Sequence, residues 1–356
     1  LFVIRNHLEM VRYANKFDLE DPEVIDSFAA FIEGEQRLRL LYVHTFCDAN
    51  ATAPDLWNDH KEELHTQLFT NTLAVLEGKH ARKDPSTLKN AYRDMQVEGV
   101  SKEEILHHLE QVPVRYFSHT GKEEVALHVD MVHRFQENGK DSEAPIVSWR
   151  NDLRRTLTIV DIVTRDRQGI FEKVTGAFAV TGINILSARA VTRKDGLAID
   201  VFYVEDGRGG VVNDVKTRKR FEDSIQSFFL EGNSPGDLIY EKRKKTDRGR
   251  LFGNEDRLGA KIPPRVDVYR DVSLSRIIVE VRAADREGLL HVIAKTIASC
   301  GFGILFARIA TEQGIATDIF NIEQASDQKD FSPSRFLDLR EQLSNTLNEG
   351  KYYHEV

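Results

Sequence analysis

The sequence predicts an all-helical N-terminal part followed by two copies of one small α/β domain. A six-residue motif occurs twice, as Asp-Arg-Gln-Gly-Ile-Phe at 166–171 and as Asp-Arg-Glu-Gly-Leu-Leu at 285–290, with the two glycines 119 positions apart. An alternating apolar run precedes each motif and an apolar helical pattern follows it, which is the order strand, turn, helix. The first third of the chain carries only helix-period patterns and helix start signals.

Four helices are predicted in the first third. The first covers residues 1 to about 17, and the second starts at Asp21-Pro22, where Asp is a good N-cap and Pro suits the first helical position. The third runs from about 35 to 49, and the fourth is marked by apolar residues between 56 and 75. Helical spacing places His7 of the first helix and Asp48 of the third on the inward faces.

An inward histidine and an inward aspartate on neighbouring helices have two interpretations. His7 and Asp48 could be two ligands of one metal site, since imidazole and carboxylate both bind divalent metals. Spacing alone favours the other interpretation, a core histidine and a hydrogen-bonded helix aspartate, because a buried carboxylate needs a partner of some kind.

A connecting helical region is predicted over 81–150, after a helical domain over 1–80. Ser101 and Glu104 form a capping box before an apolar run. A further helix is predicted from Lys122 to Phe135.

Each repeat has the element order β-α-β-β-α of a split β-α-β, ferredoxin-like domain. The first copy is placed at 155–240 and the second at 273–356, and a final strand is expected after each second helix. In the repeated turn, Gly lets the backbone approach a ligand, the next helix offers unpaired N–H groups to a carboxylate, and Asp can face an amino group. The alternative is that Gly169 and Gly288 only permit a tight turn.

The linker at 241–272 begins with a mostly basic stretch up to Arg250. A solvated, mobile connector is the usual interpretation of such a stretch. Contact with an acidic partner protein or with a nucleotide phosphate is the alternative.

Composition bounds the class of protein. The chain has 356 residues, of which 41% are hydrophobic and 30% charged, as is ordinary for a globular protein. Its net charge of −8 argues against non-specific nucleic-acid binding. No apolar run reaches membrane-spanning length, and two cysteines are too few for a disulfide framework, so a cytoplasmic location is expected. Leu1 already lies inside a helical pattern without a cap, which suggests a chain shortened at its N terminus.

The repeated turns resemble those of ACT domains, small modules that bind amino acids and regulate enzymes. The first third, with Asn6-His7-Leu8, Asp21-Pro22-Glu23-Val24 and Thr45-x-x-Asp48, resembles the second half of an HD metal-dependent phosphohydrolase domain. The combination, HD followed by tandem ACT, resembles the PII-protein uridylyltransferase/uridylyl-removing enzyme family. The fold class implied is a partial all-helical HD-type domain followed by two ferredoxin-like βαββαβ ACT domains.

This resemblance implies a divalent metal, Mg or Mn, with His7 matching a later HD histidine and Asp48 the terminal aspartate. The defining His-Asp pair and the upstream transferase domain are absent from the sequence, and Asn6 stands where the family often has His. No catalytic residue is assigned, and we expect this chain alone to be inactive in both directions.

The resemblance also implies partners. The family transfers UMP from UTP to the PII signalling protein, removes it again, and senses L-glutamine through its ACT domains, which can associate with one another or in homo-oligomers. The implied glutamine-binding residues lie in the two turns: Asp166, Gln168, Gly169, Asp285, Glu287 and Gly288. Two alternatives remain, a non-catalytic amino-acid sensor that regulates a partner, and an HD/ACT enzyme acting on guanosine tetraphosphate.

Overall fold

The structure is a computed structural model that describes residues 1–52, 57, 59–78, 85–138, 143–249, 262–271, 274, 276–312, 314–324 and 334–349. Within them the chain forms two compact units. The first contains Leu1–Met95, Val114–Lys122 and Asp271–Ser275, and the second contains Gln96–Pro113, Glu123–Arg270 and Arg276–Val356. No helix in this described part combines the length and the apolar character needed to span a membrane.

The first unit is helical, as predicted. Its helices are α1 (Phe2–Asn6), α2 (Glu9–Lys16), α3 (Pro22–Ile32), α4 (Glu35–Thr52), α5 (Asp59–Leu76), α6 (Pro85–Ala91) and α8 (Tyr116–His119). Asp21 caps α3 by accepting a hydrogen bond from the Glu23 backbone N–H, which confirms the predicted start. The rings of Tyr13 and Phe28 pack in the core in a tilted arrangement, with their centroids 4.7 Å apart. Leu56, a predicted marker of the fourth helix, lies outside the described residues.

The predicted first helix is broken in two. Asn6 donates a side-chain hydrogen bond to the Phe2 carbonyl at 2.9 Å, and the His7 Nδ1 lies 3.1 Å from the Ile4 carbonyl. Side chains that bond nearby backbone groups compete with the helical ladder, and α1 accordingly ends at Asn6 while α2 begins at Glu9.

The second unit starts with α7 (Lys102–Gln111) and includes α9 (Lys122–Glu137) from Glu123 onward. The predicted capping box is confirmed, since Ser101 Oγ accepts from the Glu104 N–H and Glu104 accepts from the Ser101 N–H. The region predicted as one connector therefore divides between the two units.

One antiparallel sheet runs through both repeats. Its strands are β1 (Ile146–Asp152), β2 (Leu157–Arg165), β3 (Ile183–Thr192), β4 (Leu197–Asp206), β5 (Arg265–Asp271), β6 (Arg276–Ala284), β7 (Phe302–Arg308), β8 (Thr311–Glu312) and β9 (Ile315–Gln324). The order is β1-β2-β4-β3-β7-β9-β6-β5, with β8 paired to β9. The central pair β3–β7 joins the repeats, with Ala188 opposite Ala307.

The position of the edge strand was predicted wrongly. Instead of following the second helix, β1 precedes β2 and pairs with it as a hairpin, from Ile146 opposite Val163 to Asp152 opposite Leu157. A short hairpin loop closes at a small entropic cost, whereas a strand after the helix needs a long connection. Within the described residues the order is thus ββαββα in the first repeat, and the second repeat has the same order with the two-residue strand β8 inserted before β9.

Helices cover one face of this sheet: α10 (Ile170–Thr181), α11 (Val215–Gln226), α13 (Leu289–Ser299) and α14 (Ser334–Glu349). A π-helical segment, Ser227–Glu231, follows α11, and α12 (Pro235–Gly249) extends into the stretch predicted as a mobile connector. Arg250, the last basic residue of that stretch, lies outside the described residues.

The two repeats also meet through α10 and α13. Glu172 and His291 occupy equivalent positions, 119 apart, and the His291 Nδ1 lies 2.9 Å from the Glu172 carbonyl oxygen. Burial lowers the pKa of His291 to about 4 and raises the pKa of Glu172. The helix contact is therefore made by a neutral imidazole at neutral pH.

Candidate functional site

The two repeated turns have the same backbone conformation. Gly169 and Gly288 are left-handed, with φ of 86° and 81°, and each stands immediately before a helix. The backbone N–H groups of Asp166 and Asp285 each donate to a glycine carbonyl of the following hairpin, at 2.8 Å. A left-handed residue at this position favours glycine strongly, so the tight-turn role of both glycines is real.

The helices that follow these turns begin without a side-chain cap. By contrast, Asp21, Ser101 and Asp214 cap α3, α7 and α11. The first N–H groups of a helix lack intrahelical acceptors, and they carry the positive end of the helix dipole. The first N–H of each helix, from Ile170 or Leu289, donates to the carbonyl of Arg167 or Arg286, at 3.4 and 3.1 Å. A carboxylate bound at these helix starts would therefore be held by the N–H groups that follow.

A buried aspartate accompanies each turn. Asp200 on β4 and Asp318 on β9 are 4% and 1% exposed, although the strand positions around them are apolar. Burial, together with the charge of Asp166 or Asp285 in the respective repeat, raises the pKa of each to about 8. Each turn thus has one exposed carboxylate and one buried carboxyl group within electrostatic reach of it.

Asp200 and Asp318 occupy corresponding positions of the two repeats, and the sequence patterns predicted no role for them. The available signal was an aspartate inside an otherwise apolar strand, occurring twice at matching positions. A charge in such a position is costly unless it has a partner or is neutralised, which marks the position as special.

Gln168 and Glu287, the variable positions of the two turns, lie at the contact between the repeats. Gln168 Nε2 donates to the Ala298 carbonyl, near the C-terminal end of α13, at 2.6 Å. The equivalent Glu287 cannot donate, and it forms an ion pair with Lys242, which donates to the Ala179 carbonyl at 2.8 Å. Ala179 and Ala298 are themselves equivalent, so one near-symmetric contact is made directly on one side and through a lysine on the other.

The predicted metal ligands lie in the first unit. His7 follows α1, is half-buried, and has its ring centroid 6.0 Å from that of His44 on α4. The inward position predicted for Asp48 is wrong. Leu41 and Thr45 on its helical face are buried, but the buried face of α4 ends at Thr45 and Asp48 is exposed.

In the described part of the chain, Glu124, His128 and Asp161 are the three potential ligands that lie close enough to share a metal ion, with their atoms within 4.8 Å of one another. Arg150 already occupies this cluster, donating to Asp161 at 2.8 and 2.9 Å and to Glu124 at 2.9 Å. His128 Nε2 lies 3.1 Å from Asp161 Oδ1. The guanidinium of Arg150 already donates to both carboxylates, so the geometry favours a structural ion-pair network over a metal centre.

Comparison with known proteins gives a consistent result. No protein-family model matches the chain. Bifunctional uridylyltransferase/uridylyl-removing enzymes match it at 28% identity in Gluconobacter oxydans over 98% of the chain, at 30% in Phenylobacterium zucineum over 92%, and at 27% in Pseudomonas putida over 99%. The chain is similar to the C-terminal part of these enzymes. It spans 34–39% of the length of these curated relatives.

The similarity to uridylyltransferase/uridylyl-removing enzymes confirms the family resemblance seen in the motifs. It extends over the helical unit and both repeats, because 98% of the chain is matched. These relatives are named as enzymes that add and remove uridylyl groups. The roles of the turn residues, and of His7 and Asp48, are matters for proposal.

Proposed function

We propose that this chain is the regulatory and partial hydrolase portion of an enzyme that uridylylates and deuridylylates the PII signalling protein, and that its two repeats sense L-glutamine. The observation that carries the sensing role is the pair of turns, each with an uncapped helix start next to a buried carboxyl group. A helix start binds a carboxylate and an aspartate binds an ammonium group, and an α-amino acid carries both.

The contact between the repeats offers a route from ligand to regulation. Gln168 and Glu287 belong to the turns. Gln168 donates directly to a carbonyl near the C-terminal end of α13, and Glu287 contacts the C-terminal end of α10 through Lys242. A ligand that moves a turn therefore changes the packing of α10 against α13. Allosteric coupling free energies of about 1–3 kcal/mol are typical of such linkage.

The hydrolase role assigns metal binding to His7 and Asp48. Their donor types suit a divalent ion such as Mn or Mg, and His44 lies beside His7 with a buried Nδ1 that has no hydrogen-bond partner among the described residues. These residues supply only part of a ligand set. A metal bound with further ligands would provide an activated water for hydrolysis of the uridylyl-tyrosine phosphodiester. UTP would be the substrate of the transferase part of the parent enzyme.

A second candidate is a non-catalytic amino-acid sensor that regulates a partner protein. The exposure of Asp48 favours it, because an exposed carboxylate needs no metal. It predicts L-glutamine binding, no bound metal, and intact folding of the His7→Ala variant.

Calorimetric titration of the chain with L-glutamine tests the sensing role, with L-glutamate and L-isoleucine as controls. We expect saturable binding of L-glutamine and none of L-isoleucine, which is the preference that the family resemblance implies. Absence of binding by all three amino acids would contradict the sensing role.

A further inference from the structure

Asp318 is a buried carboxyl group near the second turn. It lies on β9 opposite Val281 of β6, is 1% exposed, and accepts a hydrogen bond from the backbone amide of Ala310. Its Oδ1 is buried and has no hydrogen-bond partner among the described residues. Buried polar atoms are nearly always paired, so an orphaned carboxyl oxygen indicates that a donor is missing.

The groups around Asp318 are mostly apolar. Val281 faces it from β6, and the first residues of α13, Leu289 and Leu290, are apolar. Asp285 acts on it from the turn, where its backbone is held to the Gly314 carbonyl. The ionisable residues of α13 are directed elsewhere, since His291 and Lys295 act on Glu172 in α10. Among the described residues, the charge shown to act on Asp318 is thus the carboxylate of Asp285.

The uncapped start of α13 lies in the same turn as Asp285. Gly288 is left-handed and precedes the helix, and no side chain accepts from its first N–H groups. The second turn therefore combines backbone donors for an anion with two carboxyl groups for a cation. This charge pattern is the complement of an α-amino acid zwitterion.

We propose that Asp318 is the counter-ion for the α-ammonium group of the amino acid bound at the second repeat, and that it releases a proton when that ligand binds. This inference rests on the proposed amino-acid sensing. It further specifies which residue binds the ammonium group, which repeat holds the ligand, and that binding releases a proton. In the free protein the Asp318 carboxyl carries a proton. On binding, that proton passes to solvent and an ammonium N–H donates to the carboxylate in its place.

The second repeat is assigned because the two repeats differ in this respect. Asp200 has the same place in the first repeat and is similarly buried, at 4% exposure. The buried oxygen without a partner in the described residues belongs to Asp318. Asp200→Asn is therefore the matched control for Asp318→Asn, and Asn keeps an oxygen that can accept from the Ala310 amide.

The sign of the pH dependence follows from the buried state of Asp318. Burial, aided by Asp285, raises its pKa to about 8, so the group is mostly protonated at pH 7. Ligand binding that requires the ionised form competes with the proton. The affinity for L-glutamine should rise by up to about tenfold per pH unit between pH 6 and 8.

Calorimetry of the whole chain with L-glutamine at pH 7, in buffers of different ionisation enthalpy, measures the protons released. We expect about 0.9 proton per ligand bound, from a group with a pKa near 8. Asp318→Asn should lose the proton release of the second repeat and bind L-glutamine there at least about tenfold more weakly, a 1.4 kcal/mol change, while Asp200→Asn should retain that proton release. Circular dichroism checks that both variants fold.

The outcomes separate this inference from the proposed function. Binding of L-glutamine without proton release overturns the role of Asp318 and leaves the sensing role intact. Loss of proton release in Asp200→Asn instead of Asp318→Asn overturns the assignment to the second repeat. If no amino acid binds to the chain, both proposals fail together.

Discussion

Replacing Asp161 by Ala should lower the free energy of unfolding of the sheet unit by about 3–5 kcal/mol, the usual cost of breaking a buried ion pair. Asp161 is fully buried and lies within hydrogen-bond distance of both His128 and Arg150. Its removal leaves the Arg150 charge with Glu124 as its remaining carboxylate in this cluster, and leaves His128, which is 1% exposed, without its carboxylate. Chemical denaturation followed by circular dichroism measures the change.

The pH dependence of this network has a defined sign. Burial alone would raise the pKa of Asp161, but hydrogen bonds from His128 and Arg150 outweigh it and hold the pKa below its usual value. A group with a lowered pKa stabilises the fold at pH values above its unfolded pKa. That contribution is lost as the pH falls through the folded pKa, so the difference between the protein and Asp161→Ala should shrink in acid.

Asp130, which lies on α9 together with His128, provides the control. Its ion pair with Arg134, at 2.9 Å, is solvent-exposed on both sides, so Asp130→Ala should cost less than about 1 kcal/mol. An Asp161→Ala loss as small as that of Asp130→Ala would contradict the buried network.

Replacing Gly288 by Val should abolish L-glutamine binding at the second repeat and lower the free energy of unfolding by about 2 kcal/mol. Gly288 has a φ of 81°, and a β-branched residue is strained in that region by about 1–3 kcal/mol. Relief of the strain would shift the turn and the first N–H groups of α13, which are the groups proposed to bind the ligand carboxylate. Thermal unfolding and calorimetric titration measure the two effects separately.

Gly301 supplies the matched control for Gly288. It follows the other end of α13 with a φ of 78°, so Gly301→Val imposes similar strain on the same helix far from its start. We expect a comparable stability loss with binding retained. Equal loss of binding in both variants would mean that general destabilisation, and no specific contact, explains the effect of Gly288→Val.

Local chemistry made much of the fold predictable. Asp21-Pro22 and Ser101-x-x-Glu104 are start signals whose partners lie within three residues, and both caps form as the sequence indicates. The repeat was visible because Asp166–Gly169 and Asp285–Gly288 keep the same residue types where a left-handed glycine is needed.

Features that depend on distant partners were not predictable. The hairpin strand β1 is set by pairing with β2, and Asp161 meets His128 and Arg150 only after the sheet and α9 have packed. Asp48 has the spacing of an inward residue, but helix periodicity cannot tell where the packing partner of a helix ends. The inter-repeat contact of Gln168 likewise requires a residue 130 positions away.

Mapping L-glutamine binding by backbone amide NMR tests the central claim most directly. The account predicts saturable shifts of the amide resonances of Gly288, Leu289 and Leu290 at the start of α13. Shifts confined to residues outside both turns, or no shifts at saturating L-glutamine, would contradict it.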